Sequence, residues 1–529
     1  MGLASIRSYF LLTATWLALL CVIALGLFIR AGTWDATTSI RFNGDIDNGF
    51  NWGKRAHATG YFNLYESIGP PVTGQYNFDY APLRLGVMTS WVAWLDKHEM
   101  GLEKRDPSRA YHAPLLVFNL MMEILTCALA GAVVWKVRKT AYPGAPAFAY
   151  AACAASIGWL NPALILEAQA WPQWDVWAMP FFVGALWLGL SRRWLFAGVV
   201  LGVGAMFKGQ LMAVTWALVL WPLFMRDWRG ALQMMMGVVT GVLVVGSPWA
   251  LSVYVADASA RRIILPGVIL TGVLVCASIL LPRRWRAWKI CLAISIGLTI
   301  SMTFFGGTDY WLARAFGVGT SNFPYTHLGP ASNVPAVLNT RYDISDIKRR
   351  LFTLPSVALM NSNSNVLAQL GGAVSLRTGL LSVFVVMSLI CVARAAAFTR
   401  TRDVRVLVAL SLPWLFFALF PAQIHERYLL FVSISACMWI GAGIAPALLG
   451  MLLTTVATCQ IVQSMISSNG ITAVGMSDAT QSPWGFVLKL AAGTHPGIAW
   501  AVLLCAVVLV YGLFSPRHKE TICSTSVTQ

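Results

Sequence analysis

Apolar blocks of roughly 17–25 residues recur from one end of this chain to the other, the length that crosses a ~30 Å hydrocarbon core. In hydrocarbon every backbone N–H and C=O must be satisfied internally, so only α-helices or a closed barrel can span it. The alternating ten-residue segments of a barrel are not visible in the sequence. The blocks predict helices at about 9–29, 112–135, 145–166, 176–190, 194–207, 211–225, 231–255, 263–281, 289–305, 376–396, 404–420, 428–443, 445–466 and 497–514. Residues 9–29 are too long for a signal-peptide core and have no clear small-residue cleavage site, so they read as the first span. Only 11% of the chain is charged and 57% is hydrophobic, whereas soluble domains carry about 25% charged residues. The expected fold is all-α: a polytopic transmembrane helix bundle of about 11–14 spans, a single membrane domain over residues 1–529 with no sizeable soluble part.

Residues 82–95 are apolar but short and contain Arg84; whether they span sets the sidedness of everything after them. If they lie in the interface, eighteen basic residues (from Arg7 through Lys136, Arg192, Arg226, Arg283 and Arg394 to Lys519) share one side with only Asp227, Asp403 and Glu520. Such an excess in short loops marks the cytoplasm. The net charge of +17 is then topological, and nucleic-acid binding, which needs a basic soluble domain or patch, is not expected. Two long loops, about 31–111 and 306–375, then face outward, the second with a possible dip back near 351–373. Acids and aromatics gather on that face, and function concentrates where loops are long and chemically varied. The ten cysteines are scattered, most of them within apolar blocks, with no CxxC or Cys/His cluster. They read as small core hydrophobes; no disulfide framework and no zinc site is expected.

Four polar stretches on the outer side can carry chemistry. Asp45 and Asp47 lie among glycines and asparagines soon after the first span. A carboxylate at a membrane surface can remove a proton from an attacking hydroxyl; the alternative is a solvated acidic turn. Asp79 and Tyr80 precede Pro82 at the entry to the short amphipathic stretch, either as site residues or as a helix start with Trp91 and Trp94 as interface anchors. Glu167, Gln169, Gln173 and Asp175 lie with two tryptophans between spans, suited to sugar hydroxyls or to anchoring at the interface. His425, Glu426, Arg427 and Tyr428 stand at a span entrance, where consecutive titratable groups are costly unless paired or used. His425 and Arg427 could hold a phosphate; the alternative is a snorkelling Arg paired with its neighbour Glu426. Glu123 within a span and Lys208 at a span end are further candidates, with a buried Glu–Arg or Glu–Lys pair an equal account of Glu123. Arg341 in the second long loop could contact a phosphate or an anionic head group.

Taken together, these stretches resemble the GT-C superfamily of membrane glycosyltransferases, in particular bacterial GPI-mannosyltransferase-like members and the glucosyltransferases that extend dolichol-linked oligosaccharides. The resemblance runs over about residues 1–440. It is carried by Gly44-Asp45, by Asp79-Tyr80-Ala81-Pro82-Leu83, by Glu123 in the next span, by Pro172-Gln173-Trp174-Asp175, by Lys208 and by His425-Glu426-Arg427-Tyr428. Ala81, Pro172 and Glu123 stand where the family more often has Pro, Gly and Asp. The resemblance implies inverting transfer of a mannose- or glucose-type hexose from a polyprenyl-phosphate carrier to a glycan or lipid-linked acceptor. In that scheme Asp45 is the general base and Asp47 orients the acceptor or shares the role. His425 and Arg427, with Arg341, bind the donor phosphate, while Asp79, Tyr80, Gln169, Gln173, Asp175, Lys208 and Glu426 contact substrate. The expected partners are the lipid bilayer, the donor and the acceptor, with no nucleic acid. No cofactor and no metal motif is expected, divalent-ion dependence staying open. The likeness points to the inner membrane of a bacterium with an extracytoplasmic site, the endoplasmic reticulum being the alternative. Competing readings are a sugar or lipid transporter or flippase, and a surface-glycan polymerase or ligase.

Overall fold

The computed structural model describes residues 3–38, 40–41, 44–68, 78, 80–143, 146–256, 289–290, 293–294, 296–297, 333–342, 350–353, 373–421, 424–468 and 497–516. In these residues the chain is almost wholly helical, and it is a multi-pass membrane protein. Among the described residues six helices are long and apolar enough to cross a bilayer: Thr13–Ala36, Arg109–Ala141, Trp228–Gly246, Leu376–Thr401, Ile444–Ile466 and Gly497–Phe514. A further pair, Ala147–Trp159 with Pro162–Ala170, is apolar enough when taken together but is bent by 44°, the form of a broken span or a re-entrant loop. Five shorter apolar helices, Asp175–Leu190, Trp194–Ala205, Gly209–Phe224, Val406–Leu419 and Leu429–Gly441, take five more of the expected positions.

Of the expected 11–14 spans, the described residues supply six full-length ones, or seven if the bent pair is a single span. A helix of 12 residues reaches only ~18 Å at 1.5 Å per residue, well short of a hydrocarbon core. One of the short helices is wholly inside the protein: every residue of Val406–Leu419 is buried. The expected spans at 263–281 and most of 289–305 lie outside the described residues.

In chain order the helices used below are α1 (Leu3–Ala36), α2 (Gly44–Thr59), α3 (Leu64–Ile68), α4 (Pro82–Lys97), α5 (Arg109–Ala141), α6 (Ala147–Trp159), α7 (Pro162–Ile165), α8 (Met179–Leu190), α9 (Trp194–Ala205), α10 (Met212–Phe224) and α11 (Trp228–Ala256). The first long loop is thus mostly helical. It holds α2, α3 and α4, because Ile46, Gly49, Phe50, Gly53 and Ala56 form one apolar stripe on α2 at helical spacing. That stripe packs on α4, where Leu85, Met88, Trp91, Val92 and Leu95 are buried. Trp91 is no interface anchor: it is buried and its indole N–H donates to Tyr111 O at 2.8 Å. Of the second long loop the described parts are a helix at Val334–Tyr342 and a two-stranded antiparallel ladder, Arg350–Thr353 with Ala373–Ser375; the suggested dip near 351–373 lies mostly outside them.

α9 and α11 pack through glycine. A Cβ on Gly198 would overlap Met234 O, one on Gly202 would overlap Val238 O, and one on Gly241 would stand 2.5 Å from Val199 O. Gly198/Gly202 and Gly237/Gly241 are two small-x-x-x-small pairs facing each other, the arrangement that lets membrane helices approach backbone to backbone. Gly198→Ala is expected to lower stability by about 1–3 kcal/mol through overpacking, read as a lower midpoint of thermal unfolding in detergent, with Gly32→Ala, whose Cβ position is open, as the neutral control.

The two ends of the bundle differ chemically. At the end where α5 finishes, Arg138 donates to Gly441 O at 3.4 Å, Arg405 to Ser515 O at 2.7 Å and Arg394 to Leu513 O at 2.6 Å. These cations bind carbonyls near helix C-termini, which carry negative partial charge. The opposite end, where α5 starts, carries α2, α4 and the acids Asp45 and Asp47.

Candidate functional site

Asp45 and Asp47 both lie in the first turn of α2, where the positive end of the helix dipole favours carboxylates. Two residues on a helix are about 200° apart at 3.6 residues per turn, so the pair diverges. Asp45 stands four and eight residues before Gly49 and Gly53 and shares their face. That face is close-packed: a Cβ on Gly53 would lie 2.5 Å from Met88 O, and one on Gly49 would lie 3.1 Å from Met88 Sδ and 3.2 Å from the Trp174 ring. The missing side chains let α2 settle against the segment bearing Gln173 and Trp174, and Asp45 faces the same way.

That segment follows the break between α6 and α7. Pro162 cannot continue the α6 hydrogen-bond ladder, and Asn161 caps the new start, accepting from Leu164 N at 3.2 Å and donating through Nδ2 to Ser433 Oγ at 2.9 Å. Residues Leu166–Ala170 then form a π-helical turn, a feature that recurs at functional sites. The irregular backbone beyond it is held by Asn119 on α5, whose Nδ2 donates to Ala168 O at 2.7 Å and to Gln173 O at 3.3 Å. The Trp177 indole N–H in turn donates to Asn119 Oδ1 at 2.5 Å. Non-helical backbone at this depth is tolerated because protein groups satisfy it.

These elements bring Asp45, Gln173, Asp175, Lys208 and Arg427 together. Arg427 donates from a terminal guanidinium nitrogen to Asp45 Oδ2 at 2.6 Å, and its Nε lies 3.4 Å from Asp175 Oδ2. Gln173 Nε2 donates to the same Asp45 Oδ2 at 3.1 Å. Lys208 Nζ lies 2.7 Å from Asp175 Oδ1, and that pair is buried to 2% and 0% exposure. The Trp171 ring lies under the Arg427 guanidinium, 5.4 Å from its centroid. Glu167 is wholly buried beside Asp175. The Asp45 side chain keeps 23% exposure, and among the described residues its Oδ1 accepts no hydrogen bond. Gln173 Oε1 is buried without a hydrogen-bond partner, an acceptor that a buried site does not normally leave unused.

The other expected site residues fall in several places. Tyr80 is buried, edge-on to Trp174 at 5.2 Å, with the Arg84 guanidinium 3.8 Å from its ring centroid. Tyr428 accepts from Gln210 Nε2 at 2.9 Å, and His425 meets the Tyr428 ring edge-on at 5.6 Å. Arg341 has its backbone in the helix Val334–Tyr342. Asp79 and the side chain of Glu426 lie outside the described residues.

Two of the expected site residues have partners away from Arg427. Asp47, expected to orient the acceptor or to share the base role, is ion-paired to Arg105 Nε at 2.5 Å, and Arg105 also donates to His112 Nε2 at 2.9 Å. This clasp ties the start of α2 to the start of α5, as the 200° divergence on the helix requires. Gln169, expected to contact sugar, instead donates through Nε2 to Glu123 Oε1 at 2.6 Å in a buried network. Glu123 accepts there from Arg30 Nε at 2.8 Å, and the Arg30 guanidinium also reaches Trp159 O at 2.9 Å and stacks 3.7 Å from the Trp159 ring centroid. Of the alternatives open for Glu123, the Glu–Arg pair is the one present.

Arg30 and Arg105 were not among the expected site residues. Arg30 reads as the first loop residue after a span ending at 29, whereas α1 continues to Ala36 and keeps it inside the bundle. Arg105 is one cation among several in a charged loop, and nothing local marks it. Glu167 carried a signal, an acid at the end of an apolar run.

Among the described residues no group of three or more His, Cys, Asp or Glu side chains could hold a metal ion. What the arrangement can do is bind an anion at Arg427 and accept a proton at Asp45 Oδ1. Comparison with known protein families gives no match, and neither does comparison with curated proteins.

Proposed function

We propose that this chain is a membrane glycosyltransferase of the GT-C type. More particularly, it moves a mannose- or glucose-type hexose from a polyprenyl-phosphate carrier to a glycan or lipid-linked acceptor, on the extracytoplasmic side of a bacterial inner membrane. The observation that carries the reading is Asp45: a carboxylate anchored through Oδ2 by Arg427 and Gln173, whose Oδ1 accepts no hydrogen bond among the described residues and whose side chain is partly exposed.

In the proposed reaction an acceptor hydroxyl attacks the anomeric carbon from the face opposite the leaving group. The new C–O bond forms as the bond from the anomeric carbon to the phosphate oxygen breaks, inverting the centre. Asp45 Oδ1 takes the hydroxyl proton. The bonding electrons leave with the phosphate, whose growing charge Arg427 meets; a donor of this kind typically contributes about 10²–10³ in rate. The Lys208–Asp175 pair backs Arg427 from behind. The apolar carrier would lie along the lipid-facing side of the bundle, where residues such as Phe28, Val117 and Met121 are exposed.

The test is purified protein with a polyprenyl-phosphate hexose and an acceptor: release of polyprenyl phosphate that depends on the acceptor is expected, and its absence across hexoses would remove the proposal. Asp47→Asn is expected to keep turnover within about tenfold of wild type, because a group outside the reacting set lacks the 10²–10⁴ contribution of a general base. A larger loss would return Asp47 to the chemistry.

One observation favours a second reading. The broken helix Ala147–Trp159 with Pro162–Ala170, lined by buried charges, is a device that transporters use at their substrate sites. Acceptor-independent movement of a polyprenyl-phosphate sugar across vesicles, with no bond cleaved, would favour that reading.

A further inference from the structure

Arg427 holds Asp45 in a short ion pair, so one oxygen of the carboxylate is committed to the guanidinium before any substrate arrives. The same guanidinium is the cation best placed to meet an anionic leaving group. It cannot serve both fully: a terminal N–H committed to Asp45 Oδ2 at 2.6 Å is withheld from a phosphate. Its other anchor is separate, since Nε faces Asp175 Oδ2 at 3.4 Å and Asp175 is held by Lys208 at 2.7 Å.

We infer that the Asp45–Arg427 ion pair is a substrate-sensing lock: a lipid-linked phosphate displaces Asp45 from Arg427 and thereby frees the base only when an anionic donor is in place. The identity of the anion as the donor's phosphate rests on the function proposed above. The lock makes Arg427 a specificity-determining residue. A donor without a charge next to the sugar leaves Asp45 paired, and an acceptor or water that arrives alone meets a carboxylate still tied to Arg427.

Two features fit this exchange. Asp45 can leave Arg427 without being stranded, because Gln173 Nε2 already donates to it at 3.1 Å and its side chain retains solvent access. Arg427 keeps a charge partner in Asp175 throughout, so no buried cation is left uncompensated, the condition that makes breaking a buried pair costly. The guanidinium shifts between two acceptors while its Nε stays beside Asp175.

The thermodynamic consequence has a definite sign. A ligand that must displace an internal competitor binds with an apparent affinity lowered by the fraction of protein already in the competent state. Removing the competitor's charge therefore tightens anion binding even as it abolishes the base.

The experiment is equilibrium binding of farnesyl phosphate to the full chain in nanodiscs, with farnesol as the uncharged control. Asp45→Asn, close in shape to wild type, is expected to bind farnesyl phosphate about tenfold more tightly or better; Asp45→Ser should show the same sign. Arg427→Gln is expected to weaken binding by at least about tenfold, and farnesol should bind all forms alike. Asp45→Asn binding no more tightly than wild type overturns the lock, as does a gain that farnesol shares or an absence of farnesyl phosphate binding in every form. The turnover assay above is independent of this sign. An active transferase whose Asp45→Asn variant fails to gain affinity keeps the function and loses the lock. An inactive protein whose variant does gain affinity keeps the lock and loses the function.

Discussion

Asp45→Asn is expected to lower hexose transfer from a polyprenyl-phosphate donor by about 10²–10⁴-fold, the range for loss of a positioned general base. That corresponds to roughly 3–5.5 kcal/mol of barrier. The amide keeps the shape of the side chain and its hydrogen bond to Arg427 but cannot take the proton at Oδ1. Assembly should survive, because Asp45 is partly exposed and its helix is fixed by the Gly49 and Gly53 contacts with α4 and Trp174. The measurement is release of polyprenyl phosphate under saturating donor, beside a thermal unfolding midpoint to show that the variant is folded. Turnover within a few-fold of wild type would remove Asp45 from the chemistry. The comparison with Asp47→Asn sharpens the outcome: two carboxylates two residues apart, of which one faces Arg427 and the other Arg105, should differ in their effect by an order of magnitude or more.

The largest effect on stability is expected at Glu123. This side chain is wholly buried in α5 and accepts from Arg30 on α1 and Gln169 on the π-helical turn, so it joins three elements of the bundle. Glu123→Ala leaves the Arg30 guanidinium buried without its counter-charge, and breaking a buried pair from one side costs about 3–5 kcal/mol. The double variant Arg30→Met, Glu123→Met removes both charges and should recover most of that loss, since apolar replacement of an entire buried pair is often neutral or better. Gln169 then lacks an acceptor, which holds back about 1–3 kcal/mol. Thermal unfolding in a single detergent, read as a double-mutant cycle, checks this. If the single and double variants were equally unstable, the pair would not be the clamp described. Turnover is not the right readout here, because the network touches no group of the proposed site.

Arg427 bears on both parts of the site. It holds the proposed base at rest and would hold the leaving phosphate in reaction. Asp175 and Lys208 keep it in place, and Glu167 adds a further buried carboxyl group beside them. Three carboxylates and two cations within one water-poor region carry a net negative charge if all are ionised, so an added phosphate must displace or neutralise something. The Asp45 carboxylate, anchored on one oxygen and reachable on the other, is the group the geometry lets go.

Much of this was legible in the sequence. Apolar block length required a helical membrane protein, because hydrocarbon admits no other open-ended backbone. The basic excess in short loops marked one end of the bundle, and the polar stretches at 45, 173–175, 208 and 425–428 were visible as chemistry that an apolar surface would not carry without cause. Pairing was not legible. Asp45 and Arg427 are 382 residues apart, and no local pattern says that they touch. Asp45 and Asp47 look equivalent in the chain, and only the pitch of α2 and the two glycines beneath it send one to Arg427 and the other to Arg105. Gln169 and Gln173 likewise look alike, yet the π-helical turn delivers one to Glu123 and the other to Asp45. Composition and periodicity act locally and determined what kind of protein this is and which residues are too polar to be idle. Which of those residues meet is decided by helix break, rotation and close approach across hundreds of residues, and only the packed bundle specifies that.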